Sequence, residues 1–123
     1  IIKTEAITAG FVANLMRRRP KPDAFICQND RIAHQVRVCL VKLGFAVPAE
    51  VQIAGFDDMP FSDRETSEIT TISQPCEAIA TEAFLRLIAR LNDPSLPFVK
   101  KLLPYAFVAR ASTRNSKGLP RRS

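Results

Sequence analysis

The sequence predicts an α/β fold built around a mostly parallel β-sheet. Segments with apolar residues at helical spacing alternate with short, largely apolar runs that lack the in–out alternation of half-exposed strands. The length of 123 residues and the apolar content of 46% suit a single compact unit. No stretch approaches the roughly 18 consecutive apolar residues of a membrane span, so we expect no membrane contact.

The first predicted element is a helix over residues 4–18. Ile7, Phe11 and Leu15 recur every four residues, so they share one helix face. Pro20 follows a run of three arginines and does not allow the helix to continue.

A strand over residues 24–27 and a helix over residues 31–43 come next. The strand is the apolar run Ala-Phe-Ile-Cys, which is typical of a buried strand. Asp30 is the predicted N-cap of the helix, and Gly44 follows its last residue as a C-terminal cap. One face of this helix is apolar: Ile32, Ala33, Val36, Cys39, Leu40 and Leu43.

The remaining elements are two strands, a long helix and a return segment. Strands are predicted over 51–56 and 69–72, the latter a β-branched run. Residues 77–91 keep helical spacing over three turns and end before an Asn-Asp-Pro sequence. Residues 99–110 are predicted to form one or two strands interrupted at Pro104.

The formal net charge of +6 at first suggests a nucleic-acid-binding protein. However, four of the eighteen basic residues lie in the last ten positions, which contain no acidic residue. The rest of the chain has fourteen basic against twelve acidic residues, a charge of only +2. We therefore predict a basic, disordered tail over 114–123, and the net charge gives little support to nucleic-acid binding by the folded part.

The cysteines indicate an intracellular protein. Cys27, Cys39 and Cys76 are odd in number, far apart and each surrounded by apolar residues. A disulfide framework normally has an even number, and a zinc site has closely spaced pairs. We expect three buried free thiols, a cytoplasmic location, and no metal or other cofactor.

Polar side chains follow the predicted strands at their carboxyl ends. Asn29 and Asp30 follow the first strand, Asp57 and Asp58 the second, and Gln74 the third. Ligands of parallel sheets bind at this edge, and Asn and Asp recognise hydroxyl and amide groups. Each residue also has a local alternative: Asn29 and Asp30 can cap the following helix, and Asp58 can organise its own turn. We favour the local role for Asp30 and Asp58.

Catalysis is not expected. Asp57 and Asp58 are adjacent and would point in opposite directions, and the single histidine, His34, lies inside a helix. The chain has four glycines and no GxSxG, Walker or GxGxxG motif.

The helix over 31–43 also has apolar residues on the face opposite its apolar stripe. His34, Val38 and Val41 lie about half a turn from its apolar stripe. Valines on this face indicate either a surface for a partner or ordinary scattered surface apolar residues, and the sequence does not decide between them.

Five segments resemble, in order and in spacing, the lactose/galactose-repressor (LacI/GalR) family of bacterial transcription regulators. They are PDAFICQND at 22–30, LGFAVPAEV at 43–51, AGFDD at 54–58, ITTISQP at 69–75 and VARASTR at 108–114. The resemblance implies a three-layer, incomplete C-terminal lobe of a periplasmic-binding-protein-like (type I) fold. Residues 1–113 would be the C-terminal portion of the effector-binding and dimerisation domain, and residues 76–95 would cross to the other lobe.

The resemblance also assigns roles. The family's inducer contacts carry over to Asn29 and Asp57, and Gln74 falls where the chain crosses between lobes beside the cleft. Phe11, His34 and Val38 fit the family's homodimer interface. In the family, the helix at 77–91 packs against the other lobe. Without that lobe, it would expose three apolar side chains: Phe84, Leu87 and Ile88.

The implied function is to sense a small polar metabolite, a sugar or sugar acid, for a DNA-binding regulator. Operator DNA would be contacted only through a helix-turn-helix that this chain does not contain. One alternative is a fragment of a periplasmic sugar-binding protein, which shares the lobe architecture. Another is a small α/β enzyme that uses Asp57 and Asp58 on a phosphorylated substrate.

Overall fold

The computed structural model describes residues 7–58 and 68–114. These residues fall into two units. The first contains the described residues up to Ser73 together with those from Phe107 onward, and the second is Gln74–Ala106. The elements follow the predicted order: α1 Ala9–Met16, β1 Ala24–Ile26, α2 Asp30–Lys42, β2 Gln52–Ala54, β3 Thr71–Ser73, α3 Cys76–Asn92 and β4 Ala106–Val108.

Several elements are shorter than their sequence patterns predicted. Helix α1 begins only after Thr8, whose Oγ1 accepts a hydrogen bond from the backbone N–H of Phe11 at 3.2 Å and so caps the helix. Strand β2 ends at Ala54, two residues before its predicted end at Phe56. The return segment forms a strand only over Ala106–Val108, after Pro104. The predicted start of the first helix, residues 4–6, lies outside the described residues.

The first unit contains the predicted parallel pairing. Strands β1 and β2 are parallel, with Ala24, Phe25 and Ile26 opposite Gln52, Ile53 and Ala54. Parallel bridges then join Ala54 to Thr70 and Asp57 to Ser73, which brings β3 alongside β2. Strands β3 and β4 form a second two-stranded sheet. The predicted α/β class is therefore confirmed.

The core of the first unit lies between its helices and strands. Leu40, Ile53 and Val12 are fully buried there. The other buried apolar members are Met16, Cys27, Ile32, Ala33, Val36, Cys39, Val51 and Ile69. Burial of this set is the main favourable contribution to folding of the unit. Leu43, which we predicted on the same stripe, is exposed because α2 ends at Lys42 and the chain turns through Gly44 with φ of 85°.

The second unit has a different character. Helix α3 has 17 residues, and none of them is buried. Phe84 is 62% exposed and Leu87 is 56% exposed, in agreement with the exposure that we expected of these side chains. None of the helices in the described part of the chain is long and apolar enough to cross a membrane.

Candidate functional site

The carboxyl ends of β1 and β2 lie side by side. Because the strands are parallel and in register, the loops that follow them leave the sheet at the same edge. A hydrogen bond from the backbone N–H of Asp30 to the carbonyl oxygen of Phe56, at 3.0 Å, joins these two loops. The predicted meeting of Asn29 and Asp57 at one sheet edge agrees with this arrangement. We call the residues Asn29, Asp30, Asp57 and Asp58 the strand-end edge.

Asn29 is the N-cap of helix α2. Its backbone is extended, and its Oδ1 accepts a hydrogen bond from the N–H of Ile32 at 2.9 Å. The prediction that Asp30 is the N-cap is therefore wrong. Asp30 is the first helical residue, and its own N–H is bonded to the loop that follows β2. The cap uses the carbonyl oxygen of the Asn29 side chain, and its amide nitrogen is the donor that could contact a ligand.

Asp30 is buried against the backbone of Gly55. A Cβ atom at position 55 would lie 2.1 Å from Oδ1 of Asp30 and 2.9 Å from its Cα. Only glycine allows β2 and the start of α2 to approach this closely. Asp30 therefore has a structural role at the edge, but through this close approach and not as the helix cap that we predicted.

Asp57 and Asp58 have an unusual backbone. Both lie in the region of positive φ, at 97° and 52°, which non-glycine residues rarely adopt. The N–H of Asp57 is bonded to the carbonyl oxygen of Ile72 at 3.0 Å, so β3 holds the turn from one side. Such conformations cost on the order of 1–3 kcal/mol and concentrate at functional sites. Of the backbone features at the strand-end edge, this strained turn is the one that most strongly indicates a functional site.

Asp58 forms an ion pair with a distant residue. Its Oδ1 lies 2.5 Å from Nη2 of Arg110, and the two side chains are 24% and 27% exposed. The hydrogen bond from Arg110, helped by one from Ser73, holds the pKa of the Asp58 carboxyl below its ordinary value against the opposing effect of desolvation. A structural role for Asp58 is thus supported, but it pairs with a residue 52 positions away as well as shaping its own turn.

Arg110 is the residue of this site that the sequence reasoning missed. The guanidinium Nη1 donates to the carbonyl oxygen of Ile69 at 3.1 Å, while the backbone N–H donates to Oγ1 of Thr70 at 2.9 Å. Two residues later, Oγ of Ser112 accepts from the N–H of Thr70 at 2.8 Å and donates to the carbonyl oxygen of Ile53 at 2.6 Å. The only sequence signal was the segment VARASTR, to which we assigned no chemistry.

This network extends one residue into the predicted tail. The backbone N–H of Arg114 donates to Oε1 of Gln52 at 3.0 Å, and its Nε donates to the carbonyl oxygen of Pro48 at 3.3 Å. Arg114 is therefore bonded to the first unit. The rest of the predicted tail, 115–123, lies outside the described residues.

Gln74 and Cys76 belong to the second unit and are described within it. They line an open cleft of about 600 Å³ together with Pro75, Glu77, Ala78, Thr81 and Glu82. Cys76 is exposed, so the prediction that all three thiols are buried is wrong for this residue. It is the first residue of a helix whose side chains make no core. Cys27 is buried, which raises the pKa of its thiol to about 11.

The residues proposed for a dimer interface occupy two helices. Phe11 on α1 packs against the core and lines an apolar groove of about 360 Å³ next to β1 and α2. His34 and Val38 are half-buried on α2, and Val41, one turn further, is 53% exposed. Phe11 thus contributes to the interior of the unit, whereas the α2 residues lie nearer its surface.

Comparison with known proteins gives the class to which this fold and edge belong. Residues 2–113 match the family model of the periplasmic binding protein-like domain. A probable HTH-type transcriptional repressor, ExuR, from Bacillus subtilis is 30% identical over 76% of this chain, and a probable opine utilization operon repressor from Rhizobium rhizogenes is 33% identical over 78%. The chain spans 28% and 49% of the lengths of these two relatives.

A solved structure supports the same assignment. A LacI family transcriptional regulator from Enterococcus faecium, with bound ribose, matches 85% of this chain with a TM-score of 0.71 and 25% identity, and the chain covers 38% of that protein. The chain belongs to the periplasmic binding protein-like domain family, and its predicted resemblance to the LacI-type regulators is confirmed. Both relatives are named as probable repressors, in agreement with the prediction that the chain belongs to a regulator and not to an enzyme.

Proposed function

We propose that this chain forms the effector-binding and dimerisation part of a DNA-binding transcription regulator of the LacI type. The observation that carries the proposal is the strand-end edge. Two polar residues, Asn29 and Asp57, follow adjacent parallel strands, and Asp57 is held at positive φ where most residues would relax. In a regulator of this kind, effector binding at the edge changes affinity for operator DNA through a shift between conformations. As part of such a regulator the chain would work in the cytoplasm.

The effector that we propose is a small polyhydroxylated metabolite, a sugar or sugar acid. Neighbouring carboxylate and amide groups recognise vicinal hydroxyl groups, because one accepts and the other donates hydrogen bonds. The bound ribose in the Enterococcus faecium regulator supports this class. The opine utilization repressor shows that relatives of similar identity are named for other metabolites. The test therefore needs a panel of compounds and not a single sugar.

The decisive experiment uses the complete regulator that contains this chain. Operator release is followed by fluorescence anisotropy against a panel of pentoses, hexoses, hexuronic acids and one opine. We expect Asp57→Ala to abolish release by the active compound while leaving operator affinity unchanged. Asp23→Ala is the control, because Asp23 is exposed in the turn before β1 and lies outside the strand-end edge. Release by Asp57→Ala at wild-type effector concentrations would contradict the proposal.

Dimerisation through α2 is the second part of the proposed function. His34, Val38 and Val41 are spaced four and three residues apart, so they form one stripe on the helix. Since Val41 is more than half exposed, the stripe offers apolar surface that a second copy could cover. We expect Val38→Lys to shift the sedimentation-equilibrium mass of the complete regulator from dimer to monomer. Asp23→Lys, in the exposed turn before β1, should leave the mass unchanged. If the wild-type complete regulator is itself a monomer, this part of the proposal is refuted.

A further inference from the structure

We propose that Arg110 is a positioning residue for Asp57: it holds Asp58, and through Asp58 it keeps Asp57 in the left-handed backbone conformation at the strand-end edge. The inference rests on the proposed function of that edge. It adds to the site a residue 53 positions further along the chain that does not need to touch the effector itself.

The turn needs support that its own backbone supplies only in part. Asp57 is fixed at its N–H by Ile72, at 3.0 Å. The next backbone contact is weak, because the N–H of Asp58 lies 3.4 Å from Oγ1 of Thr71. Two consecutive residues with positive φ would relax towards extended backbone unless the far side of the turn is also held. The short contact of Asp58 with Arg110, which has a larger effect on the pKa of the Asp58 carboxyl than the hydrogen bond from Ser73, provides that second support.

Arg110 is itself anchored firmly enough to act as the support. Its backbone is bonded to Thr70 in both directions: its N–H donates to Oγ1, and its carbonyl oxygen accepts from the same hydroxyl at 3.1 Å. Its guanidinium has a second bond, to Ile69, which fixes its plane. All of these partners lie beside β3, the strand that also bonds Asp57. Asp58 is therefore tied to the same strand that carries its neighbour.

A second ion pair in the first unit, Arg37–Glu68, serves as a control because it lies away from the Asp57–Asp58 turn. Arg37 and Glu68 lie 2.7 Å apart, and the side chain of Arg37 is 23% exposed, close to the value for Arg110. Neither residue touches the Asp57–Asp58 turn in any bond described for it. Loss of either pair removes one charge-assisted hydrogen bond. Only loss of the Arg110 pair is expected to change the geometry of Asp57.

The test is a spectroscopic measurement on the isotope-labelled chain. The three-bond coupling between the amide and α protons reports φ, so it distinguishes the left-handed conformation of Asp57 from extended backbone. We expect Arg110→Gln to move this coupling towards the extended value and Arg37→Gln to leave it unchanged. Arg110→Lys keeps the charge but not the bond to Ile69, so an intermediate coupling is expected. A wild-type coupling in Arg110→Gln would overturn the proposal.

Loss of folding by Arg110→Gln would be recognised from the collapsed dispersion of the core amides of Val12 and Ile53. In that case Arg110→Lys decides: a shifted Asp57 coupling in a dispersed spectrum supports the proposal, and an unchanged one overturns it. The functional arm uses the complete regulator and whichever panel compound releases operator. Arg110→Gln should raise the concentration needed for release several-fold, because fewer molecules hold the competent turn.

The two proposals fail separately. If Asp57→Ala leaves the effector response intact, the proposed function of the edge is wrong, whatever the coupling shows. If Asp57→Ala abolishes the effector response but the coupling of Asp57 stays at its wild-type value in Arg110→Gln, the edge remains the proposed site and the positioning role is overturned.

Discussion

Replacement of Gly55 by alanine tests the close approach that shapes the strand-end edge. An added Cβ would lie 2.1 Å from Oδ1 of Asp30, whereas ordinary contacts begin at 3.4 Å. The carboxylate would have to move by about 1.3 Å in a position where Asp30 is fully buried. The side chain could in part rotate away, but the Cα of Asp30 lies only 2.9 Å from the new atom. The start of α2 must therefore shift by about 0.5 Å from β2.

This shift weakens the hydrogen bond from Asp30 to Phe56 and loosens the packing of α2 on the sheet. Overpacking and one lost hydrogen bond together are expected to lower the free energy of unfolding by about 3 kcal/mol. The assay is urea unfolding of the 123-residue chain followed by far-ultraviolet circular dichroism. Gly10→Ala is the matched control, because its Cβ meets only Thr8 Oγ1 at 3.9 Å within α1. It should stabilise the chain by about 0.5 kcal/mol.

A double variant separates the two clashes. Asp30→Ala removes Oδ1 but leaves the backbone contact to Gly55, so Asp30→Ala combined with Gly55→Ala should recover only part of the loss. Full recovery would show that the side chain alone sets the approach. A Gly55→Ala chain as stable as the wild type would refute the geometry from which the effect is derived.

Three further outcomes follow from the same contacts. Asn29→Ala should lower the free energy of unfolding by about 1 kcal/mol because it removes the cap of α2, while Asn29→Asp should keep it; equal stability of all three chains would contradict the cap. The Asp58–Arg110 pair lowers the folded-state pKa of Asp58 below 3.8, so its stabilisation is complete above that value and is lost as the pH falls through the folded-state pKa. The stability gap between wild type and Arg110→Met should thus be larger at pH 7 than at pH 2 in urea titrations, and a constant gap would exclude this linkage. In a native chain treated with a thiol reagent, Cys76 should react first and Cys27 only on unfolding, because Cys27 is buried with a pKa of about 11. If a fast-reacting thiol is still present in Cys76→Ser, Cys76 is not the residue that reacts first and this prediction is wrong.

The candidate site was predictable to the extent that it depends on strand order. Parallel strands place their carboxyl ends together, so Asn29 and Asp57 could be assigned to one edge from the sequence. The choice between Asn29 and Asp30 as N-cap was not predictable. Both residue types cap helices, so the pattern could not tell which of the two adjacent residues takes the extended backbone of the cap.

The role of Arg110 lay beyond sequence reasoning for a similar reason. An arginine 52 residues from its carboxylate partner gives no periodic or local signal. The pairing exists because β3 and the return segment lie beside the same turn, and only the folded chain brings them together. Cys76 shows the opposite error, since an apolar neighbourhood in the sequence predicted burial for a residue at the exposed start of α3.

The sequence by itself determined the class of this protein: an α/β unit with parallel strands, a polar edge at their ends and the motifs of LacI-type regulators. These features are local, because apolar periodicity and turn residues act over a few positions of the chain. The tertiary structure alone decided which polar residues support the fold and which the edge can use for a ligand. That division depends on contacts between distant segments, Asp30 with Gly55 and Asp58 with Arg110, whose geometry no local pattern specifies.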